Sequence, residues 1–124
     1  MDKTPTKKIL VVDDDPTVTK LLTGILGHKG YEVVTASDGL DAMVAVKNHR
    51  PHLILLDIMM PELNGYDVCR NLKFDSQYKD IPIIILTSRE QELDPRIGQM
   101  MGIDYLPKPL NREALMDKIS VLLR

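Results

Sequence analysis

The sequence predicts an α/β fold in which five parallel strands form one doubly wound sheet with helices on both faces. Five short apolar runs rich in β-branched residues recur along the chain, at residues 9–12, 32–36, 53–56, 83–86 and 103–106. Three of these runs are continuously apolar, as expected when both faces of a parallel strand are covered. Segments of helical period separate the runs, so strand and helix alternate within one domain.

The segment after the first run has the periodicity of an amphipathic helix. Apolar residues repeat there at steps of three and four, at Val18, Leu21, Leu22, Ile25 and Leu26. Asp15 precedes Pro16, which is the order expected of an N-cap and a first helical position, and Gly30 is placed to end this helix. A similar repeat near the end of the chain comprises Leu115, Ile119 and Leu122.

Capping residues predict the other helix boundaries. Helix starts are expected at Asp38, Pro61-Glu62 and Asn111, and a helix end at Gly102. The segment before Gly102 has two interpretations. A helix that begins at Asp94-Pro95 leaves residues 88–93 as an exposed loop, whereas a longer helix would be kinked at the proline.

Composition limits the classes of function. The chain has 124 residues, enough for one domain, and a formal net charge of −2. No basic stripe is present to displace counterions from nucleic acid, so direct nucleic-acid binding is not expected. A lone cysteine, Cys69, suits a reducing compartment, and neither a signal peptide nor a membrane span is evident. We expect a cytoplasmic domain over residues 7–124 after a flexible tail of residues 1–6.

Chemically reactive side chains follow four of the five predicted strands. They are Asp13, Asp14 and Asp15 after the first, Asp57 after the third, Thr87 and Ser88 after the fourth, and Lys108-Pro109 after the fifth. Taken singly, each is more often a helix cap, a turn residue or a solvated surface group. In open α/β sheets, however, ligands bind outside the carboxyl ends of the strands, where all of these residues would converge.

The convergent set predicts a phosphoryl-transfer site. Carboxylates that close repel each other unless a cation neutralises them, and Mg²⁺ favours a few carboxylates while keeping waters free for phosphate oxygens. Lysine and threonine then supply hydrogen-bond donors to a phosphoryl group. A carboxylate is also a competent nucleophile, which would give an aspartyl phosphate.

Four segments together resemble the response-regulator receiver domain of two-component signalling: ILVVDDDP, LILLDIMMPELNGYDVC, IIILTS and DYLPKPL. They stand in that family's order and spacing, from about Lys7 to the C-terminus. The resemblance implies the flavodoxin-like strand order 2-1-3-4-5. It also implies a signalling domain rather than an enzyme, one that catalyses only its own phosphorylation and dephosphorylation.

The resemblance assigns roles to individual residues. Asp57 is the expected phosphoacceptor, and Asp14 and Asp57 are expected to bind Mg²⁺ directly, with Mn²⁺ as an alternative. Asp13 would act mainly through water, and the Met59 carbonyl would complete the protein ligands.

Residues at the ends of the last two strands are also expected to have roles in the site. Lys108 and Thr87 would contact the phosphoryl oxygens through their side chains, and Ser88 through its backbone. The Lys108-Pro109 bond is typically cis in this family, against about 5% of such bonds generally.

Two further expectations concern switching and lifetime. Thr87 and Tyr105 match the family's switch pair, although a half-buried aromatic on an edge strand explains Tyr105 equally well. Met59 and Arg89 flank the expected path of the hydrolytic water. Because the Met59 side chain cannot orient a water, the sequence predicts slow autodephosphorylation.

The resemblance also names classes of partner. The phosphoryl donor would be a sensor histidine kinase or a histidine phosphotransfer protein. A downstream effector or an attached output domain would read the phosphorylated state, through a face built from the last strand and the helices on either side of it. Phosphorylation-dependent homodimerisation is compatible with this. The sequence leaves open whether the receiver is free-standing or part of a longer protein.

Two other functions compete with this one. A haloacid-dehalogenase-like phosphohydrolase would use Asp13 as nucleophile and Asp15 as general acid, but it would leave Asp57 without a role. A degenerate receiver would serve only as an interaction surface. Its weakness is that a scaffold has no need to keep the acidic residues, Thr87 and Lys108 together.

Overall fold

The computed structural model describes residues 6–57, 65–87, 103–107 and 110–123, with the side chains of residues 65, 66 and 87 excepted. Within these ranges the strands are β1 (Lys8–Val12), β2 (Glu32–Ala36), β3 (Leu53–Asp57), β4 (Ile83–Thr87) and β5 (Ile103–Pro107). The helices are α1 (Pro16–His28), α2 (Gly39–His49), α3 (Gly65–Lys73) and α4 (Arg112–Leu122).

The five strands form one parallel sheet in the order β2-β1-β3-β4-β5. The predicted fold class and strand order are therefore confirmed. The observed β3, β4 and β5 each extend one residue beyond the predicted apolar run, so that Asp57 and Thr87 are the last residues of their strands.

Alternate residues of each strand face two separate hydrophobic cores. Leu10 and Ile54 belong to the core beneath α2 and α3, whereas Ile9 and Leu55 belong to the core beneath α1 and α4. Both faces of the central strands are thus buried, which explains why these strands are continuously apolar in sequence. Among the described helices, none is long and apolar enough to cross a membrane.

Capping residues fix the helix ends as predicted. The Asp15 carboxylate accepts a hydrogen bond from the Thr17 N–H at 2.9 Å, and Pro16 occupies the first helical position. Gly30 follows the end of α1 with a φ of +94°, a conformation that glycine adopts without strain. The Asn111 carbonyl oxygen likewise accepts from the Ala114 N–H at the start of α4.

Several predicted boundaries lie outside the described residues. These are Pro61-Glu62, the segment around Asp94-Pro95, and Gly102. The proposed division between the tail and the domain, at residues 6 and 7, stays a prediction.

The amino-terminal edge of the sheet is closed by hydrogen bonds between polar groups. The Lys8 N–H donates to His52 Nδ1 at 2.9 Å, and the His52 N–H donates to the Lys8 carbonyl at 2.8 Å. After α3, the Lys73 ammonium donates to the carbonyls of Lys79 and Ile81 at 3.1 and 3.0 Å. These bonds fix the loops that lead into β3 and β4.

Candidate metal and phosphoryl site

The sheet register brings the first and third acidic positions together. Val12 is paired with Leu56 between β1 and β3, so the residues that follow, Asp13 and Asp57, lie side by side at the carboxyl edge. Asp57 is in turn paired with Leu86 on β4, one residue before Thr87. The parallel topology therefore delivers these three positions to one edge of the sheet, as predicted.

Asp13, Asp14 and Asp57 form a compact acidic group, which we call the acidic trio. Each contributes a carboxylate oxygen, and these oxygens all lie within 4.8 Å of one another. Asp13 and Asp57 are only 2% and 5% exposed, whereas Asp14 faces solvent. Carboxylates at this separation repel each other, and a bound cation would offset that repulsion.

Backbone geometry holds Asp13 in place. The Asp15 N–H donates to Asp13 Oδ1 at 2.9 Å, and the Asp13 N–H donates to the Ala36 carbonyl at the end of β2 at 3.2 Å. The first bond closes a tight turn that carries the chain from β1 into α1. The orientation of the Asp13 carboxylate is therefore fixed before any ligand binds.

The donor set of the acidic trio fits a hard divalent cation. Mg²⁺ and Mn²⁺ take oxygen ligands, and Mg²⁺ is usually bound by one or two carboxylates while it keeps several waters. Two buried carboxylates and one exposed one provide both the protein ligands and an open side for water. A cation would also relieve the repulsion within the trio.

Asp15 is separated from the acidic trio by its role as a cap. Its carboxylate is exposed and bonded to the first turn of α1. The arrangement in which Asp13 and Asp15 act together as nucleophile and acid therefore receives no support from the geometry, since Asp13 is grouped with Asp14 and Asp57 instead.

A cleft of about 380 Å³ opens beside the acidic trio, between the start of α1 and the β2–α2 connection. Besides Asp13 and Asp14, its lining includes Thr19, Thr35, Ser37 and Asp41. This side of the site was not predicted from the sequence, because β2 has no obvious reactive group at its end. The available signal was Ser37, which directly follows β2, together with Asp41 in the first turn of α2.

The remaining predicted site residues are described in part or not at all. Tyr105 is half-buried on β5 and packs against the core beneath α2 and α3. The structure gives the backbone of Thr87 only, and five predicted residues lie outside the described ranges: Met59, Ser88, Arg89, Lys108 and Pro109.

Cys69 is fully buried on α3, where burial raises the pKa of its thiol to about 12 and the nearby Lys73 ammonium opposes that rise. A buried thiol whose pKa is raised is a packing residue rather than a reactive one.

Comparison with known proteins identifies the family. The sequence-family model for the response regulator receiver domain matches residues 9–120 of this chain. PilH of Pseudomonas aeruginosa is 39% identical over 117 residues, covering 94% of this chain and 97% of PilH. The DNA-binding response regulator MtrA of Mycolicibacterium smegmatis is 40% identical over 119 residues, covering 95% of this chain but 51% of MtrA. The chain therefore spans about half the length of some curated relatives and nearly all of another.

Solved structures agree with this assignment. The chemotaxis response regulator CheY4 of Vibrio cholerae superposes with a TM-score of 0.84 at 31% identity, covering 95% of this chain and 99% of CheY4. The receiver domain of a Francisella response regulator also has a TM-score of 0.84, at 28% identity over 94% of this chain and 96% of that one. None of these comparisons supports the phosphohydrolase alternative. The fold, the matched family model and the relatives together show that this chain belongs to the response regulator receiver domain family of two-component signalling.

Proposed function

We propose that Asp57 accepts a phosphoryl group from a phosphohistidine, with Mg²⁺ held by the acidic trio. The observation that carries the proposal is the burial of Asp57 within 4.8 Å of the carboxylate oxygens of both Asp13 and Asp14. A nearly dry carboxylate at the carboxyl edge of the sheet is placed where the fold class binds its ligands.

In the proposed reaction an Asp57 carboxylate oxygen attacks the phosphorus of the donor. An O–P bond forms as the P–N bond of the phosphohistidine breaks, and the imidazole leaves with the electron pair. Bound Mg²⁺ supplies positive charge to the phosphoryl oxygens. Asp14 and Asp57 would hold that cation directly and Asp13 mainly through water, and the hydrogen bond from the Asp15 N–H orients the Asp13 carboxylate.

The other assignments rest on sequence position and on the family. The Met59 carbonyl completes the metal ligands, and Lys108, Thr87 and the Ser88 N–H contact the phosphoryl oxygens. In this proposal Met59 and Arg89 flank the hydrolytic water and set a slow autodephosphorylation, and the family resemblance is the basis for proposing a cis bond before Pro109.

Phosphorylation then shifts a two-state equilibrium that a partner protein reads. The half-burial of Tyr105 on β5 is compatible with a switch in which Thr87 moves toward the phosphoryl group and Tyr105 turns inward. We place the output on the face that includes β5 and α4. The donor is a sensor histidine kinase or a phosphotransfer protein in the cytoplasm, and the reader is an effector, an output domain or a second copy.

Labelling with a phosphoryl donor tests the proposal. Wild-type protein with Mg²⁺ should take up one phosphoryl group, seen as a mass increase, and Asp57→Asn should take up none. Asp75→Asn is the matched control, because Asp75 accepts a backbone N–H from Gln77 that asparagine can still accept, on the loop that enters β4. Undiminished labelling of Asp57→Asn would reject Asp57 as the acceptor.

A second measurement separates the proposal from a scaffold role. Partner affinity should change when beryllofluoride, a phosphoryl mimic, is added to the wild type with Mg²⁺. Equal affinity with and without the mimic would favour a degenerate receiver that acts only as an interaction surface.

A further inference from the structure

The cleft beside the acidic trio carries a charged group that the proposed chemistry does not use. Asp41, in the first turn of α2, lines the same cleft as Asp13 and Asp14. It faces the opening from the β2–α2 side, whereas the trio belongs to the ends of β1 and β3. A phosphoryl donor that occupies this cleft beside Asp13 and Asp14 would lie near the Asp41 carboxylate.

Hydrogen bonds hold the Asp41 carboxylate at the cleft. Its Oδ2 accepts from the Ser37 N–H at 3.2 Å, and its own N–H donates to Asp38 Oδ1 at 2.7 Å. Asp38 is the N-cap of α2, so both aspartates serve the start of this helix. The carboxylate is thus a fixed charge at a defined place, although its residue is exposed.

The charge of the cleft depends on Asp41 once a cation is bound. Among the described residues that line it, every charged group is a carboxylate. A divalent cation on the trio would offset two of its three negative charges, but it would leave the Asp41 charge in place. Two unit charges several ångströms apart in water interact by roughly the thermal energy, and salt screens that interaction.

We propose that Asp41 makes the site selective for the charge of its phosphoryl donor, disfavouring dianionic acyl phosphates relative to donors that carry a cationic leaving group. This inference rests on the proposed phosphorylation of Asp57. Asp41 acts through space on the approach of the donor and touches no reacting atom, so it is a specificity-determining residue and not a catalytic one.

Two small donors separate the effect of charge from the chemistry. With acetyl phosphate, a dianion, the Asp57 oxygen forms a bond to phosphorus, the P–O bond to the acetyl group breaks, and acetate leaves with the electron pair. With phosphoramidate, whose nitrogen already carries the extra proton, the P–N bond breaks and neutral ammonia leaves. The second donor therefore brings one negative charge fewer to the same acceptor.

The experiment compares the rates at which both donors label the full chain in Mg²⁺ at low and high ionic strength, followed by intact mass. Asp41→Asn removes the charge but keeps an oxygen that can accept the Ser37 N–H. We expect it to raise the second-order rate constant for acetyl phosphate about two- to fourfold at low salt, and the ratio of acetyl phosphate to phosphoramidate rates about twofold. High salt should remove most of this change.

Asp75→Asn again provides the matched control, because it makes the same change in net charge and also preserves a backbone hydrogen bond. It should leave the donor ratio unchanged. An Asp41→Asn ratio equal to that of the wild type, or a change equal to that in Asp75→Asn, would overturn the inference while leaving the proposed function intact. Failure of both donors to label the wild type would instead reject the proposed function itself.

Discussion

The two edges of the sheet differ in the charged groups that they bring together. At the amino edge, the Lys73 ammonium donates to two backbone carbonyls, and the Lys8 ammonium lies 3.3 Å from Glu32 and 3.4 Å from the His49 carbonyl. At the carboxyl edge, carboxylate oxygens of the three members of the acidic trio lie within 4.8 Å of one another. The donors at the first edge bind backbone carbonyls and stabilise the fold, whereas repulsion among the carboxylates at the second opposes folding, and a bound cation would offset it.

This difference separates stabilising residues from residues kept for function. A substitution at the amino edge should destabilise the fold, because it leaves backbone groups without their donors. Neutralising a carboxylate at the opposite edge should stabilise the fold and weaken cation binding. Substitutions at the two edges should therefore change the free energy of unfolding in opposite directions, and that difference in sign tests the comparison.

The largest effect is expected at the acidic trio. Asp13→Asn keeps the oxygen that accepts the Asp15 N–H and removes one of three adjacent charges. In EDTA it should raise the free energy of unfolding by about 2 kcal/mol, measured by urea denaturation and circular dichroism. Excess MgCl₂ should raise the melting temperature of the wild type more than that of this variant, because binding to the folded state alone stabilises it.

Asp117→Asn controls for the change in net charge, since Asp117 is exposed on α4. It should change neither the stability in EDTA nor the response to MgCl₂. A destabilised Asp13→Asn, or one with an undiminished response to MgCl₂, would contradict the view that the trio is a strained cation site.

The next effect is expected at Lys73. Lys73→Met keeps the aliphatic part of the side chain and removes the ammonium that binds the Lys79 and Ile81 carbonyls. The free energy of unfolding should fall by about 1–2 kcal/mol in the same assay, because two acceptors lose a charged donor. Lys79→Met, on an exposed side chain of the same loop, should change it by less than about 0.5 kcal/mol. Equal losses in both variants would refute the specific role of Lys73.

The smallest expected effect is a pH dependence of the free energy of unfolding, which arises from Cys69 on α3. Burial raises the pKa of the Cys69 thiol from 9.0 to about 12, so the folded state holds this proton more tightly than the unfolded state. The resulting stability is fully present below pH 9 and is lost as the pH rises toward about 12. Between pH 8.5 and 10 the loss should be about 1 kcal/mol.

Cys69→Ala should show a shallower decline over that window, whatever its absolute stability. Burial lowers the pKa of Lys73, with Cys69 and Asp80 opposing that change, so its own contribution to stability rises with pH and has the opposite sign. Comparing the wild type with Cys69→Ala separates the thiol from this background. Parallel curves for the two proteins would show that the thiol has the same pKa in the folded and unfolded states, which would contradict the effect of burial.

The sequence predicted the fold because its local and long-range signals agree. The caps at Asp15, Asp38 and Asn111 and the glycine at position 30 mark helix ends by backbone chemistry that acts within a few residues. The continuous apolar runs predicted buried parallel strands, since only a strand covered on both faces gains from such a composition. Fold class and helix ends therefore depend on information that neighbouring residues carry.

The site was predictable to the extent that it lies on strand ends. Asp13 and Asp57 meet because parallel strands end at one edge, and the register places them side by side. Asp15 could be separated from Asp13 and Asp14 by sequence, because Pro16 directly after it marks it as the N-cap of α1, and its carboxylate does cap that helix.

The sequence alone determined the fold class and the family resemblance, and it predicted a phosphoryl site centred on Asp57. Only the tertiary structure decided that Asp13 is buried while Asp14 faces solvent, and that Asp41 shares a cleft with them. The physical reason is that composition and periodicity report what each segment buries. Which charges become neighbours depends on how the ends of separate segments pack, and that packing is set by the whole sheet.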